Sequence, residues 1–236
     1  MCPVWSPDGR FIVFGGKGGI FWTRSDGAGK PQQLTQSKSP QYPGSFTPDG
    51  KRLAGMETAT GGLRLWTMAL ETHGAGLRGG KPEPFPQTSF DERQLVFSPD
   101  GRWLAYVSNA SGIHEVYVRA FPDTGGQWQI SNGGGAFPIW SRNGHELFFR
   151  SSDSRIMVVT YTVNGDSIMP DKPRAWSKRL ASFDVGFQSY DLAPDGKRFA
   201  VLMPVETPEE QQAQNHVVLL LNFFDELRRK VPLSGK

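Results

Sequence analysis

One turn recurs five times along this chain, each copy closing a short apolar stretch: Trp5-Ser6-Pro7-Asp8-Gly9, Phe46-Thr47-Pro48-Asp49-Gly50, Phe97-Ser98-Pro99-Asp100-Gly101, Trp140-Ser141-Arg142-Asn143-Gly144 and Leu192-Ala193-Pro194-Asp195-Gly196. Self-similarity at a regular spacing means stacked copies of one supersecondary unit, none of which buries its apolar face alone. Pro pre-sets φ at the first central turn position, Asp or Asn tolerates the second, and Gly accepts positive φ at the exit. The flanking runs therefore fold back antiparallel. The residues after each Gly also repeat, as in Gly9-Arg10-Phe11-Ile12-Val13-Phe14 and Gly101-Arg102-Trp103-Leu104-Ala105-Tyr106: a cation or His, a variable residue, then an apolar run. The acids Asp8, Asp49, Asp100 and Asp195 are thus turn chemistry first, although a ring of them imitates a calcium site.

A third strand comes after each hairpin: Gly19–Thr23, Leu63–Thr67, His114–Val118, Ile156–Thr160 and Val217–Leu221. A fourth is legible as Pro31–Thr35 and Gln127–Ser131, and more weakly around Pro84-Phe85 and Ala175-Trp176. Short strands of Val, Ile, Phe, Tyr and Trp broken by Gly and Pro belong to an all-β closed or radial sheet, and four per unit make a β-propeller blade. From Asp8 to Asp49, Asp100, Asn143 and Asp195 the steps are 41, 51, 43 and 52 residues, within reach of the ~40 to 50 of propeller repeats. The expected organisation is one propeller domain over 1–236 with repeats 1–41, 42–89, 90–135, 136–186 and 187–236. The longer steps carry extra loop, Thr72 to Gln87 and Asn164 to Ser182, expected at the surface, where loops carry specificity.

Composition excludes more than it selects. With 26 Lys and Arg against 23 Asp and Glu, the net charge of +3 is too small, and the cations too scattered, for a nucleic-acid partner. The single cysteine, Cys2, forms no intramolecular disulfide. Met1-Cys2-Pro3-Val4-Trp5 lacks the charged start and apolar run of a signal peptide, and Val217–Leu221, the longest apolar stretch, is far short of the ~20 residues of a membrane span.

The last unit runs out after three strands into Asn222 to Pro232, which reads as a short helix: Asn222 as N-cap, acids early, bases late, and Phe223, Phe224, Leu227 and Val231 on one face. Neither end supplies a fourth strand for this unit. The expectation is an incomplete last blade, in part of a larger ring or in a ring left open.

The Trp/Phe-Ser-Pro-Asp-Gly-Arg/Lys-x-Leu/Ile-Ala pattern resembles the PD variety of WD-repeat-like propeller found in TolB-like proteins. Ser108-Asn109-Ala110-Ser111-Gly112, Glu115 to Pro122, Gly125 to Ser131, Gly133-Gly134-Gly135 and Leu221 to Leu227 are similar to the C-terminal propeller of bacterial eukaryotic-like serine/threonine protein kinases. The resemblance implies a sensor or scaffold module of a signalling or cell-envelope protein, tethered to a kinase and membrane segment upstream and extracytoplasmic (periplasmic); without it the compartment defaults to the cytoplasm. No kinase motif is present, and Gly15-Gly16-Lys17-Gly18-Gly19 lacks phosphate-loop spacing and reads as a hairpin link. No Gly-x-Ser-x-Gly elbow occurs, so a prolyl-oligopeptidase-type hydrolase would need a separate catalytic domain.

The four imidazoles, His73, His114, His145 and His216, are scattered without metal-ligand spacing. His145 sits where other copies carry Lys or Arg and reads as a solvated turn residue; His114 and His216 open third strands and read as exposed. Trp5, Phe46, Phe97, Trp140 and Leu192 share one inner-strand position and are expected to pack between blades. Just before each inner strand, Tyr42, Arg93, Phe137 and Gln188 align to within one residue and differ in chemistry, which makes them the candidate binding rim. The sequence reading is a non-enzymatic propeller binding a protein or peptide, with no catalytic residue, metal or cofactor. Its alternatives are an accessory propeller of a kinase or peptidase and a channel-centred metal-dependent hydrolase.

Overall fold

A computed structural model describes residues 3–74, 76–85, 88–177 and 188–202, which lie in one compact unit, Met1–Leu202. Cys2, the strand expected at Val217–Leu221, His216 and the helix expected over 222–232 lie outside the described residues. The described residues are all-β. Blade 1 comprises β1 (Val4–Trp5), β2 (Phe11–Gly16), β3 (Gly19–Arg24) and β4 (Gln32–Gln33); blade 2 comprises β5 (Gln41–Phe46), β6 (Arg52–Ala59), β7 (Gly62–His73), β8 (Gly76–Gly79) and β9 (Glu83–Pro84). Blade 3 holds β10 (Glu92–Phe97), β11 (Trp103–Ser108), β12 (Glu115–Ala120) and β13 (Gln127–Gln129). Blade 4 holds β14 (Gly135–Trp140), β15 (Glu146–Ser151), β16 (Ile156–Asn164), β17 (Ser167–Pro170) and β18 (Arg174–Ala175), and β19 (Tyr190–Leu192) with β20 (Phe199–Val201) begins blade 5. Within each sheet the strands pair antiparallel in chain order, except that β9 pairs with β7 and β18 with β16.

The repeated turn does what its residues dictate. The amides of Gly9, Gly50, Gly101, Gly144 and Gly196 each donate to the carbonyl three residues back, at 2.9–3.0 Å, and all five glycines have φ between 68° and 72°. In blade 3 Ser98 Oγ donates to Asp100 at 2.5 Å and accepts from the Trp103 amide at 3.0 Å, while Asp100 also accepts from the Arg102 amide at 3.1 Å. Blades 1 and 2 repeat this with Ser6/Asp8 and Thr47/Asp49. The Ser6 and Thr47 hydroxyls hold the Asp8 and Asp49 carboxyls below the ordinary range. In blade 5, where Ala193 replaces the hydroxyl, the Lys197 amide is the first cause of the same effect on Asp195.

Between blades lies the core. Phe46 packs with Phe11, Val13 and Trp22 of the blade before it, Phe97 with Leu65 and Phe85, and Trp140 with Trp103 and Val118, while Leu192 packs against Phe148 and Ile156. Each inner-strand aromatic thus closes on the preceding blade, and full burial of such a side chain contributes about 1.5–3 kcal/mol. Trp5 departs from expectation: it is 57% exposed, because among the described residues no preceding blade covers it.

The two longer units differ from the expected free loops. In each, the third strand overshoots and folds back on itself: Leu70–His73 pairs with β8, and Tyr161–Asn164 pairs with β17. The chain then returns as β9 or β18 beside the first half of the same strand. The hairpins reach across to the previous blade. Leu77 joins the apolar cluster shared with blade 1, Ile168 is buried with Trp103 and Ile130 of blade 3, and Arg102 of blade 3 donates to the Gly165 carbonyl at 2.7 Å. These insertions clamp blade pairs together.

Candidate functional site

The inner strands of blades 2, 3 and 4 break register at the same place. The pairing skips between Pro43 and Ser45, between Arg93 and Val96, and between Ala136 and Ile139, so each strand carries a bulge that re-aims its side chains. Blade 2 places Gly44 there, packed against Leu95 of the next blade; blades 3 and 4 instead hold Gln94 at φ 57° and Phe137 at φ 54°. Left-handed backbone at an amide and an aromatic side chain persists only where the surroundings determine it. Here they do: Gln94 Oε1 accepts from the Phe137 amide at 2.8 Å, the Tyr190 hydroxyl donates to the Phe137 carbonyl at 2.7 Å, and the Trp140 indole N–H donates to the Val96 carbonyl at 3.0 Å. These bonds stitch the bulges to the neighbouring blades.

They open a cavity of about 400 Å³. Pro43, Met56, Leu63, Leu95, Val96, Pro138 and Ile139 give it apolar walls, and its polar groups are Tyr42, Gln94, Gln188 and Asp191. Of the four rim residues expected from sequence, the structure brings Tyr42, Phe137 and Gln188 to this cavity; Arg93 does not line it, its guanidinium being tied to the Asp91 carboxylate. Gln94, one position on, takes its place. That residue, with Asp191 and the apolar walls, was missed because no local signal marks a bulge without glycine.

Asp91 itself is structural. Its buried carboxylate accepts from the Leu63 amide at 2.7 Å and meets His114 Nε2 at 3.0 Å, so His114 is half-buried and paired, not simply exposed. His145 is the solvated turn residue expected, its amide on Asn143 Oδ1 at 3.0 Å. Beside Asp91, Glu92 is buried with Oε2 lacking a hydrogen-bond partner among the described residues, and burial pushes its carboxyl up to about 7. The glycine cluster serves close approach: a Cβ on Gly15 or Gly19 would run into the carbonyl oxygen of Gln41 or Thr35. A larger cavity, about 740 Å³, lies at the turns of blades 1 and 2 under the β7–β8 hairpin. Its Asp8 and Asp49 are engaged by their own turns, so it offers less to a ligand. Among the described residues no three His, Cys, Asp or Glu side chains are grouped to hold a metal ion, and no helix is long and apolar enough to cross a membrane.

No family model matches the sequence. Solved structures match the fold. A putative TolB from Agrobacterium tumefaciens aligns with TM-score 0.54 at 20% identity, over 70% of this chain and 62% of that one. TolB from Acinetobacter baumannii aligns with TM-score 0.53 at 18% identity, over 84% and 53%. The periplasmic gluconolactonase PpgL of Pseudomonas aeruginosa aligns with TM-score 0.54 at 20% identity, over 85% and 64%. The class is therefore the β-propeller. The chain spans between 53% and 64% of the length of these three structures.

These neighbours correct the expectation that the chain is not an enzyme. Beside the gluconolactonase stand two putative 6-phosphogluconolactonases and an oligogalacturonate lyase, at 13–16% identity. The reason is physical: a propeller brings side chains from separate blades to its inner rim, so its chemistry leaves no linear motif, and the absence of kinase or hydrolase signatures is no ground for excluding catalysis.

Proposed function

We propose that this chain is a propeller module that binds a protein or peptide partner in the inner-strand cavity. The observation that carries the reading is convergence: Tyr42, Phe137 and Gln188, variable positions from blades 2, 4 and 5, meet at one apolar-walled cavity with a few directed polar groups. Its size falls in the roughly 300–1,000 Å³ range of ligand sites. Aliphatic and proline walls suit side chains of an extended segment, while Tyr42, Gln94 and Gln188 offer donors and acceptors to its backbone. The strings from Ser108 to Gly135, similar to the C-terminal propeller of bacterial serine/threonine kinases, support placing the module with the sensor or scaffold propellers of signalling and cell-envelope proteins; an accessory propeller of a kinase or peptidase is the alternative. A photo-crosslinking side chain at Tyr42, against one at the exposed Asp123, tests the site. A partner captured at Tyr42 and not at Asp123 is expected; the same capture at both positions defeats the proposal.

A further inference from the structure

We infer that the inner-strand cavity selects a segment carrying one basic residue among apolar ones, with the cation seated against Asp191. The inference rests on the binding reading above and adds the chemistry of the ligand. Asp191 is the one charged side chain among the described residues lining the cavity. Two nearby cations are already engaged: the Arg93 guanidinium of β10 is on Asp91, and the Arg150 guanidinium of β15 stands over the Phe137 ring at 4.8 Å from its centre. Asp191 Oδ1 accepts from the Leu192 amide at 2.9 Å. That bond engages one carboxylate oxygen within β19; among the described residues no donor is bonded to the other. Pro43, Leu95, Val96, Pro138 and Ile139 form walls that offer nothing to a second charge.

Such a site discriminates by charge. A lysine or arginine gains a charge-assisted bond to the exposed Asp191 carboxylate, whereas an acidic residue at the same place meets like charge against apolar walls, which suppresses wrong partners. A basic residue flanked by aliphatic or proline residues fits both halves of the cavity.

The test is selection of a phage-displayed random nonapeptide library on the full 236-residue chain, followed by affinity measurement of the enriched peptides. Enrichment of one Lys or Arg between apolar residues is expected, with Asp and Glu depleted. Asp191→Asn, which keeps the oxygen that accepts from the Leu192 amide and so preserves the fold, should weaken a selected peptide roughly three- to tenfold, as for loss of one charge-assisted contact. Asp191→Lys should reverse the preference toward the same peptide with Lys→Glu. Selected peptides whose binding needs Tyr42 but shows no basic preference, or is unchanged in Asp191→Asn, overturn this inference and leave the cavity reading standing. Failure to recover any peptide whose binding depends on Tyr42 overturns both.

Discussion

Replacing Glu92 by Gln should stabilise the protein at neutral and alkaline pH and do nothing in acid. Glu92 opens β10, only 1% exposed, with Oε2 unpartnered among the described residues. Burial is the largest influence on its carboxyl, and the neighbouring Asp91 charge adds to it; Thr88 and the charges of Arg119 and Arg64 oppose the rise without offsetting it. The folded-state pKa lies at about 7 against an ordinary 4.5, so the folded protein holds the proton more tightly than the unfolded chain. Stability therefore falls as pH rises from about 4.5 to 7 and stays low above it. At 1.36 kcal/mol per pH unit, the full effect is on the order of 3 kcal/mol. Glu92→Gln is isosteric and uncharged at every pH, so it removes this loss. Urea unfolding followed by tryptophan fluorescence should show wild type and variant equal near pH 4, with the variant more stable by on the order of 3 kcal/mol at pH 8. A gap that does not change between pH 4 and 8, or a variant less stable at pH 8, would refute the reasoning and mean that the carboxylate is ionised and paired.

The same geometry sets other outcomes. Ser98→Ala removes a hydroxyl that both donates to Asp100 and accepts from the Trp103 amide, and should cost about 1–3 kcal/mol in urea unfolding. Ser141→Ala, at the equivalent position in blade 4, removes a buried hydroxyl with no hydrogen-bond partner among the described residues and should be neutral or mildly stabilising in the same assay. Gly19→Ala, forced at φ 141° into the Thr35 carbonyl, should lower the thermal midpoint sharply, since strained backbone alone costs about 1–3 kcal/mol. Ile168→Ala should cost about 2–5 kcal/mol because Ile168 is core to the blade 3–4 pair, whereas the adjacent Met169, 52% exposed, should tolerate the same change.

The parts of the fold legible in the sequence were those encoded by local chemistry. The recurrent turn, Pro-Asp-Gly in four copies and Arg-Asn-Gly in blade 4, marked the first hairpin of each blade, because φ at Gly9, Gly50, Gly101, Gly144 and Gly196 is a residue-level demand. The blade-to-blade role of Phe46, Phe97 and Trp140 came from their common place beside that turn. The features that escaped were set by neighbours distant in sequence. Arg93 was drawn off the rim by Asp91, and Trp5 was left exposed because among the described residues no preceding blade covers it. The insertions became clamping hairpins because Ile168 and Leu77 found apolar surface on another blade. The bulge at Gln94 and Phe137 was invisible because a tertiary bond between them, and not a glycine, holds the backbone there. The candidate cavity was therefore half legible: Tyr42, Phe137 and Gln188 from alignment of the repeats, and Gln94 and Asp191 only from the structure.

The most direct test of the account compares partner affinity in Tyr42→Ala, Gln188→Ala and Arg93→Ala proteins of equal thermal stability. All three positions align beside the inner strand, but only the first two line the cavity. Binding through the cavity predicts losses of about tenfold or more for Tyr42→Ala and Gln188→Ala, the scale of an interface anchor worth more than about 1 kcal/mol, and an Arg93→Ala affinity equal to wild type. Equal losses at all three, or a loss confined to Arg93→Ala, would contradict it.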